Sequence, residues 1–426
     1  MSSTEMHSHA LGVVDVLRRL KPEERAQMLS SYEPDMALAI FEQLDTTLQE
    51  ELLDELPDTE VKQLIESLDP DDRVRLLDAL PEAIADRLLS RLNRREMRLT
   101  RKLMSYPEES AGRIMNPEYL PVRDDLTAEE ALALVHREGS SAGTIDALPV
   151  IDEDRCVVGL LSLSKLVLAE PFDRVGDLMV TPVPTVSPET DQEAVAHLIQ
   201  KADLLAVPVV DENEHLLGLI TVDDAMDILQ SEREEDFALV SASEPLERPY
   251  FSTSPVGLAR SRLVWLTLLA VAGVLTVNVL GAFENVLEQV IALSLFIPLL
   301  IGIGGNCGAQ SATTVIRAMA IGDLVGRNPI MVVSREGLTG LILGTGVATL
   351  AFLPVMLIFE INLAITIALT LVSICTLATV VGSSMPLLAR RFNIDPAVVS
   401  APMVTTLVDA SGLLVYFLIA MIVMGL

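Results

Sequence analysis

Asp409 is the single acid in the stretch 396–426, which is otherwise uncharged and long enough to cross a bilayer. A carboxylate at that depth is costly unless it faces water, a partner or an ion. A helix–helix hydrogen bond from a protonated acid is the plainer alternative, and the ion-facing reading outweighs it. Val404 and Thr405, one helical turn earlier, are candidates to supply further oxygens. A second polar string runs through 298–324, PLLIGIGGNCGAQSATTVIRAMAIGDL. Pro298, Gly302, Gly304, Gly305 and Gly308 weaken or kink a helix there and let neighbours approach. Asn306, Gln310, Ser311, Thr313 and Thr314 carry polar groups to the same depth.

A third group is acidic and lies outside the apolar stretches. Asp223, Asp227, Glu232, Glu234, Glu235 and Asp236 precede them, and Glu108 and Glu109 stand further back. Residues four apart share a helix face, so Asp223 with Asp227 and Glu232 with Asp236 each form a two-carboxylate lip. Such lips suit a hard divalent cation that keeps most of its water. A solvated acidic face is the bland alternative for each.

The elements that must position these groups fall into two halves. Of the 30 Lys and Arg, 24 lie before residue 262, as do 53 of the 60 Asp and Glu, so nearly all of the net charge of −30 sits there. That charge argues against nucleic acid or anionic lipid as a partner and suits a cation. The mean hydropathy of +0.44 is too high for an ordinary soluble protein. Cys156, Cys307 and Cys375 are far apart in sequence, which excludes a disulfide framework and a cysteine zinc site. The first residues, MSSTEMHSHALGVVDVLRRL, have an early Glu and no continuous apolar run, so they read as no secretory signal. His7 and His9 read as part of a loose terminus rather than a metal site.

Residues 11–92 repeat short runs opened by Pro22, Pro34, Pro57, Pro70 and Pro81. Proline is tolerated in a first helical turn, Asp69 is a fair N-cap for the run at Pro70, and leucines three and four apart give one apolar face. A stack of short helices is expected. Residues 113–135 then recur as 177–199, and LPVIDEDRCVVGLLSLSKLV (148–167) recurs as VPVVDENEHLLGLITVDDAM (207–226). Each copy reads strand, helix, strand, acidic turn, strand, helix. This duplication resembles a pair of CBS motifs. The resemblance implies ATP or a related nucleotide at about one site per chain, held by Thr221 and Asp224 with Gly218 and Pro208 alongside. The first copy keeps Gly159 and Ser162 but has Lys165 where the acid belongs. A CBS pair that only transmits force is the alternative.

Beyond residue 260, uncharged runs cover 263–283, 289–316, 337–359 and 361–389, followed by 396–426. Five spans are expected. Arg260, Arg262, Arg317, Arg327, Arg335, Arg390 and Arg391 fall on one side and Glu284, Glu288 and Glu360 on the other. Basic loops stay inside, so the acidic half is expected in the cytoplasm and Leu426 outside a cell (inner) membrane. The string GGNCGAQSAT together with Pro402, Thr406, Asp409 and Gly412 resembles the MgtE family of magnesium transporters, and with the helical repeats and CBS pair the resemblance covers nearly the whole chain. It departs at Ala401, where family members commonly carry Asn.

The fold class expected is a multidomain membrane protein. It has an acidic all-α helical-repeat domain (1–111), an α/β CBS pair (112–231, copies 112–170 and 174–231), a connecting helix and linker (232–260) and a five-helix transmembrane domain (261–426). The resemblance implies a homodimeric Mg²⁺ channel with Asp409 as its selective acid, gated by cytoplasmic Mg²⁺ on the acidic domains and modulated by ATP. An intramembrane hydrolase is disfavoured, since no histidine follows His215 and the spans show no catalytic pairing. A CBS-regulated anion channel wants basic or amide-rich pore positions, whereas the mid-span charge is negative. A Co²⁺, Ni²⁺ or Zn²⁺ transporter is the nearer rival. The expected absence of membrane histidine and of paired membrane thiolates favours oxygen ligands and a hard ion.

Overall fold

The structure, a computed structural model, describes residues 10, 12–246, 250 and 253–426. His7 and His9 lie outside the described residues. The chain forms two compact units, divided between Glu232 and Arg233.

In the first unit, short helices run from Pro22–Ser30 through Pro34–Glu42, Thr46–Glu55, Asp58–Ser67, Pro70–Ala79 and Glu82–Leu89 to Arg94–Met104. Pro22, Pro34 and Pro70 sit in first turns, while Pro57 and Pro81 occupy the capping position itself. Leu17, Ile40, Phe41, Leu52, Ile65 and Leu88 form the buried seam. Two buried arginines reveal a longer repeat than the prolines do. Arg25 donates to the carbonyls of Leu17 and Leu20, eight and five residues upstream, and pairs with Glu51. Arg73 donates to Ile65 and Leu68, again eight and five upstream, and pairs with Glu96 at 2.8 Å. Each guanidinium satisfies the carbonyls left over where one helix ends and the next begins. Asp69 does occupy the capping position before Pro70, but the expected cap is corrected in that its side chain makes no capping bond and lies near Asn116 of the CBS pair.

The CBS pair holds β1 (Val122–Arg123), β2 (Ala147–Ile151), β3 (Val157–Ser162), β4 (Ala206–Val210) and β5 (Leu216–Thr221). β1 runs parallel to β2, and β2–β3 and β4–β5 are antiparallel hairpins. Asp152 and Asp211 accept backbone N–H groups inside the acidic turns, as short polar side chains in turns do. Each copy lends a segment to the other: Asn116 bridges to Leu219, and Val180 bridges to Leu160. A Cβ on Gly218 would stand 2.9 Å from the Asn116 carbonyl oxygen, and one on Gly159 would stand 2.9 Å from that of Val180. The two motif glycines are there to admit the crossing strand.

In the second unit, Pro255–Ala282, Ala292–Ala320, Pro329–Ile358, Ile361–Arg391 and Ala401–Met424 are 5 helices long and apolar enough to cross a membrane, among the described residues. Three starts differ most from expectation, the first helix beginning at Pro255 rather than near 263, capped by Ser254. The third helix starts at Pro329, capped by Asn328, because helix continues beyond the apolar window. The fifth starts at Ala401, capped by Ser400, since the preceding residues form a tight turn at Pro396–Val398. The second helix runs unbroken through Pro298. It is fastened to the fifth by the Tyr416 hydroxyl, which donates to the Leu293 carbonyl at 2.9 Å. The first helix buries none of its residues, leaving Leu263, Val264, Val271 and Val277 to face lipid or another chain.

Candidate cation sites

Pro402 and the Ser400 cap start the fifth helix, and Asp409 follows two turns later. Its Oδ1 is buried without a hydrogen-bond partner. A buried polar atom left unpaired costs on the order of 1–3 kcal/mol, which marks this oxygen out from its neighbours. Glycines on the second helix bring it close. A Cβ on Gly305 would stand 3.3 Å from the Thr405 methyl and 3.5 Å from Asp409 Oδ1. Thr405 and Asp409 therefore share one face, with the Thr405 hydroxyl donating to the Pro402 carbonyl. Val404 is fully buried, with its side chain packed beside Val408 against Gly308, so its backbone carbonyl is the oxygen it has to offer.

Of the polar string, Asn306, Gln310, Thr313 and Thr314 are exposed on one side of the second helix in the single chain. Ser311 points the other way, with its Oγ 2.8 Å from Glu336 Oε2 and 2.9 Å from the Thr379 carbonyl. Glu336 is a membrane-helix carboxylate that sequence reasoning missed. It abuts Arg335 at the edge of an apolar run, and a hydropathy window leaves it outside. The expectation of no paired thiols in the membrane is also corrected. Cys307 and Cys375, 68 residues apart in sequence, place their Sγ atoms 3.6 Å apart. Separation along the chain hid that pair.

In the first unit, Thr221 donates to Asp224 at 2.5 Å, at the start of the helix Val222–Val240. Asp224 meets acids from the helical repeats. Its carboxyl is pushed up to about 6 by burial, with Asp223 and Asp72 adding repulsion and the Thr221 hydrogen bond opposing. Burial likewise holds Asp71 well above the usual carboxylate range, with Asp224, Asp72 and Asp69 adding to it. Asp71 Oδ1 is buried with no hydrogen-bond partner. Arg75 bridges the two sides, pairing with Asp72 and, at 3.2 Å, with Asp227. Sequence reading passed over Asp71 and Asp72 because acids in a first helical turn are ordinary dipole partners.

The other predicted acids are placed differently. Gln192 joins two of them, donating its backbone N–H to the Glu109 carbonyl and its side chain to Glu232 at 2.7 Å. Glu108 stays exposed beside them, and Glu234, Glu235 and Asp236 lie on the later turns of the long helix. No group of three or more His, Cys, Asp and Glu side chains stands in metal-holding geometry among the described residues. Pro208 is buried within β4, and Gly218 is closed over by the crossing strand. A cleft of about 540 Å³, lined by Asp146, Leu163, Ser164, Val167, Leu168 and Leu205, opens beside the first copy rather than at Thr221 and Asp224.

These features define a multi-span membrane protein that also carries a helical-repeat domain and a CBS pair. The family described as a divalent cation transporter, MgtE, matches residues 297–419, and the MgtE intracellular N domain matches 8–109. The CBS domain matches 111–171 and 175–231. A magnesium transporter MgtE of Thermus thermophilus is 41% identical over 321 residues, 75% of this chain and 71% of that protein. One of Bacillus subtilis is 36% identical over 334 residues, 78% and 73% of the respective chains. A solved cytosolic domain of the Mg²⁺ channel MgtE in complex with ATP is 34% identical with a TM-score of 0.49, covering 51% of this chain and 90% of that one. The chain belongs to the MgtE family of magnesium transporters. It is a multi-pass membrane protein with intracellular N-terminal and CBS domains, in a family of transporters rather than enzymes.

Proposed function

We propose that the chain works as a homodimeric Mg²⁺-selective channel, closed by cytoplasmic Mg²⁺ and modulated by ATP, with Leu426 outside. The observation that carries the reading is the unpartnered Asp409 Oδ1 on the face shared with Thr405 and Gly305. One carboxylate per chain, doubled across a dimer, suits an ion that gives up its water reluctantly. The exposed face of Asn306, Gln310 and Thr313 supports the dimer, because a polar stripe facing lipid is costly. Among the described residues, the two thiols at Cys307 and Cys375 are joined by no third His, Cys, Asp or Glu in metal-holding geometry, which keeps the oxygen site in favour.

Asp71, Asp72, Asp223, Asp224 and Asp227 gather where the helical repeats meet the CBS pair, and they supply the sensor. Their charges repel when uncompensated. Neutralisation by a divalent cation favours the closed arrangement, and the differential affinity drives the change along the Val222–Val240 helix. Asp224 also stands in the CBS nucleotide motif, so nucleotide and cation compete for or share its carboxylate. Calorimetry with ATP on Asp224→Ala, expected to lose heat against the unaltered chain, tests that role.

The experiment for the whole reading is divalent flux by the purified chain in liposomes, with a competition series and varied internal Mg²⁺. Flux should favour Mg²⁺ over Co²⁺ and Ni²⁺ and fall as internal Mg²⁺ rises. Preference for Co²⁺ would point to the departure at Ala401 and replace the Mg²⁺ reading.

A further inference from the structure

Two thiols with no part in the transport reading meet inside the membrane bundle. Cys307 on the second helix and Cys375 on the fourth are both free, with their sulfurs 3.6 Å apart. Cys375 is fully buried and Cys307 partly so. Glycines press the helices together around them. A Cβ on Gly344 of the third helix would stand 3.1 Å from Cys375 Cβ, and one on Gly340 2.6 Å from the Cys375 carbonyl oxygen. On the other side, a Cβ on Gly304 would stand 2.5 Å from Ile374, and one on Gly308 would stand 3.4 Å from the Ala378 carbonyl oxygen. The backbones of the second and fourth helices are thus already close where the thiols meet. A disulfide needs its sulfurs at about 2.05 Å, so closure asks for an approach of about 1.5 Å.

We propose that Cys307 and Cys375 form a reversible intramembrane disulfide that staples the second helix to the fourth beside Asp409 and lowers flux. Cys307 lies two residues beyond Gly305, about 3 Å along the helix axis at 1.5 Å per residue. Drawing Cys307 toward the fourth helix moves Gly305 and Gly308 relative to Thr405, Val408 and Asp409 on the fifth. The oxidant is a membrane-soluble quinone. Two S–H bonds break and one S–S bond forms, and two electrons and two protons pass to the quinone, which leaves as hydroquinone. A dithiol reductant reverses the step by thiol–disulfide exchange.

The bond itself stands apart from the transport reading, and its effect on flux rests on it. The full chain carrying Cys156→Ser, in liposomes, is treated with a short-chain ubiquinone and mapped by mass spectrometry without reductant. A peptide linking positions 307 and 375 is expected, together with a severalfold fall in Mg²⁺ flux that a dithiol restores. Cys307→Ser should keep its flux and ignore the quinone, and Cys307→Ala serves if the serine is poorly tolerated in the bundle. Absence of the linked peptide, or a linked chain that conducts like the reduced one, overturns the proposal. A reduced chain with no flux at all indicts the transport reading, and the peptide map still decides the cross-link.

Discussion

Asp409 and Asp71 each bury a carboxylate oxygen that meets no donor, yet their surroundings are opposite. Asp409 is met by a glycine backbone and a threonine methyl in a seam of small residues. Asp71 is crowded by Asp69, Asp72 and Asp224, and Arg75 lies at the edge of the group. A lone carboxylate attracts a hydrated cation without holding it, as conduction requires. Crowded carboxylates store repulsion that a cation releases, so binding there can drive a change of shape. On the proposed reading, the number of like charges around one orphaned oxygen separates a site for passage from a site for sensing.

Removing the lone acid should have the largest effect. Asp409→Ala is expected to bring Mg²⁺ flux in liposomes to background while the chain still folds and assembles. Near-normal flux from a well-folded variant would end the assignment of the passage site, and the comparison with it.

Unmooring the sensing side comes next. Arg73 is fully buried and fastens the helix that carries Asp71 and Asp72. Arg73→Ala strands Glu96 Oε2 and the carbonyls of Ile65, Glu66 and Leu68, and breaking a buried pair from one side costs about 3–5 kcal/mol. The first unit should melt earlier, and flux through Asp409 should persist but lose its response to internal Mg²⁺. Intact inhibition by internal Mg²⁺ would place the sensor elsewhere.

Asp71→Asn should move stability the other way. The native carboxyl is held above its usual range by burial and neighbouring acids, so ionising it at neutral pH opposes folding. Without divalent cations, the amide should raise the unfolding midpoint at neutral pH, because it removes a charge that burial and the neighbouring acids oppose. Added Mg²⁺ should then stabilise the variant less than the parent. A lower midpoint in the variant would show that Asp71 is satisfied as it stands.

Much of this arrangement was legible in the sequence, for identifiable reasons. Apolar runs of bilayer length marked the five membrane helices, and the duplicated hairpins marked the CBS pair, because both are local patterns. The isolation of Asp409 drew attention to it without any knowledge of packing. What escaped depends on contacts between distant segments. Asp71 and Asp72 look like ordinary first-turn acids until Asp224 is set beside them. Glu336 looks like a loop charge until Ser311 meets it, and the cysteines look unrelated until their helices cross. The glycine of the nucleotide motif looked like a ligand-side residue, whereas the strand from the other copy explains it.

The smallest effect expected is a pH dependence confined to the crowded site. Asp224 has its carboxyl pushed up to about 6, so the folded chain holds a proton there more tightly than the unfolded one, whose aspartates titrate near about 3.9. Protonation therefore favours the folded unit at low pH, and that contribution fades as pH rises through about 6. Cation binding has the opposite dependence, since carboxylate ligands must be deprotonated and metal binding releases protons. In the full chain, the rise in unfolding midpoint caused by Mg²⁺ should be largest above about pH 7 and shrink steadily below about 6, by up to tenfold in apparent affinity for each unit if one proton is displaced. Asp71, shifted in the same direction, steepens the trend. Asp224→Asn should flatten it. A Mg²⁺ effect that is constant with pH, or larger in acid, would remove the crowded acids from the cation site.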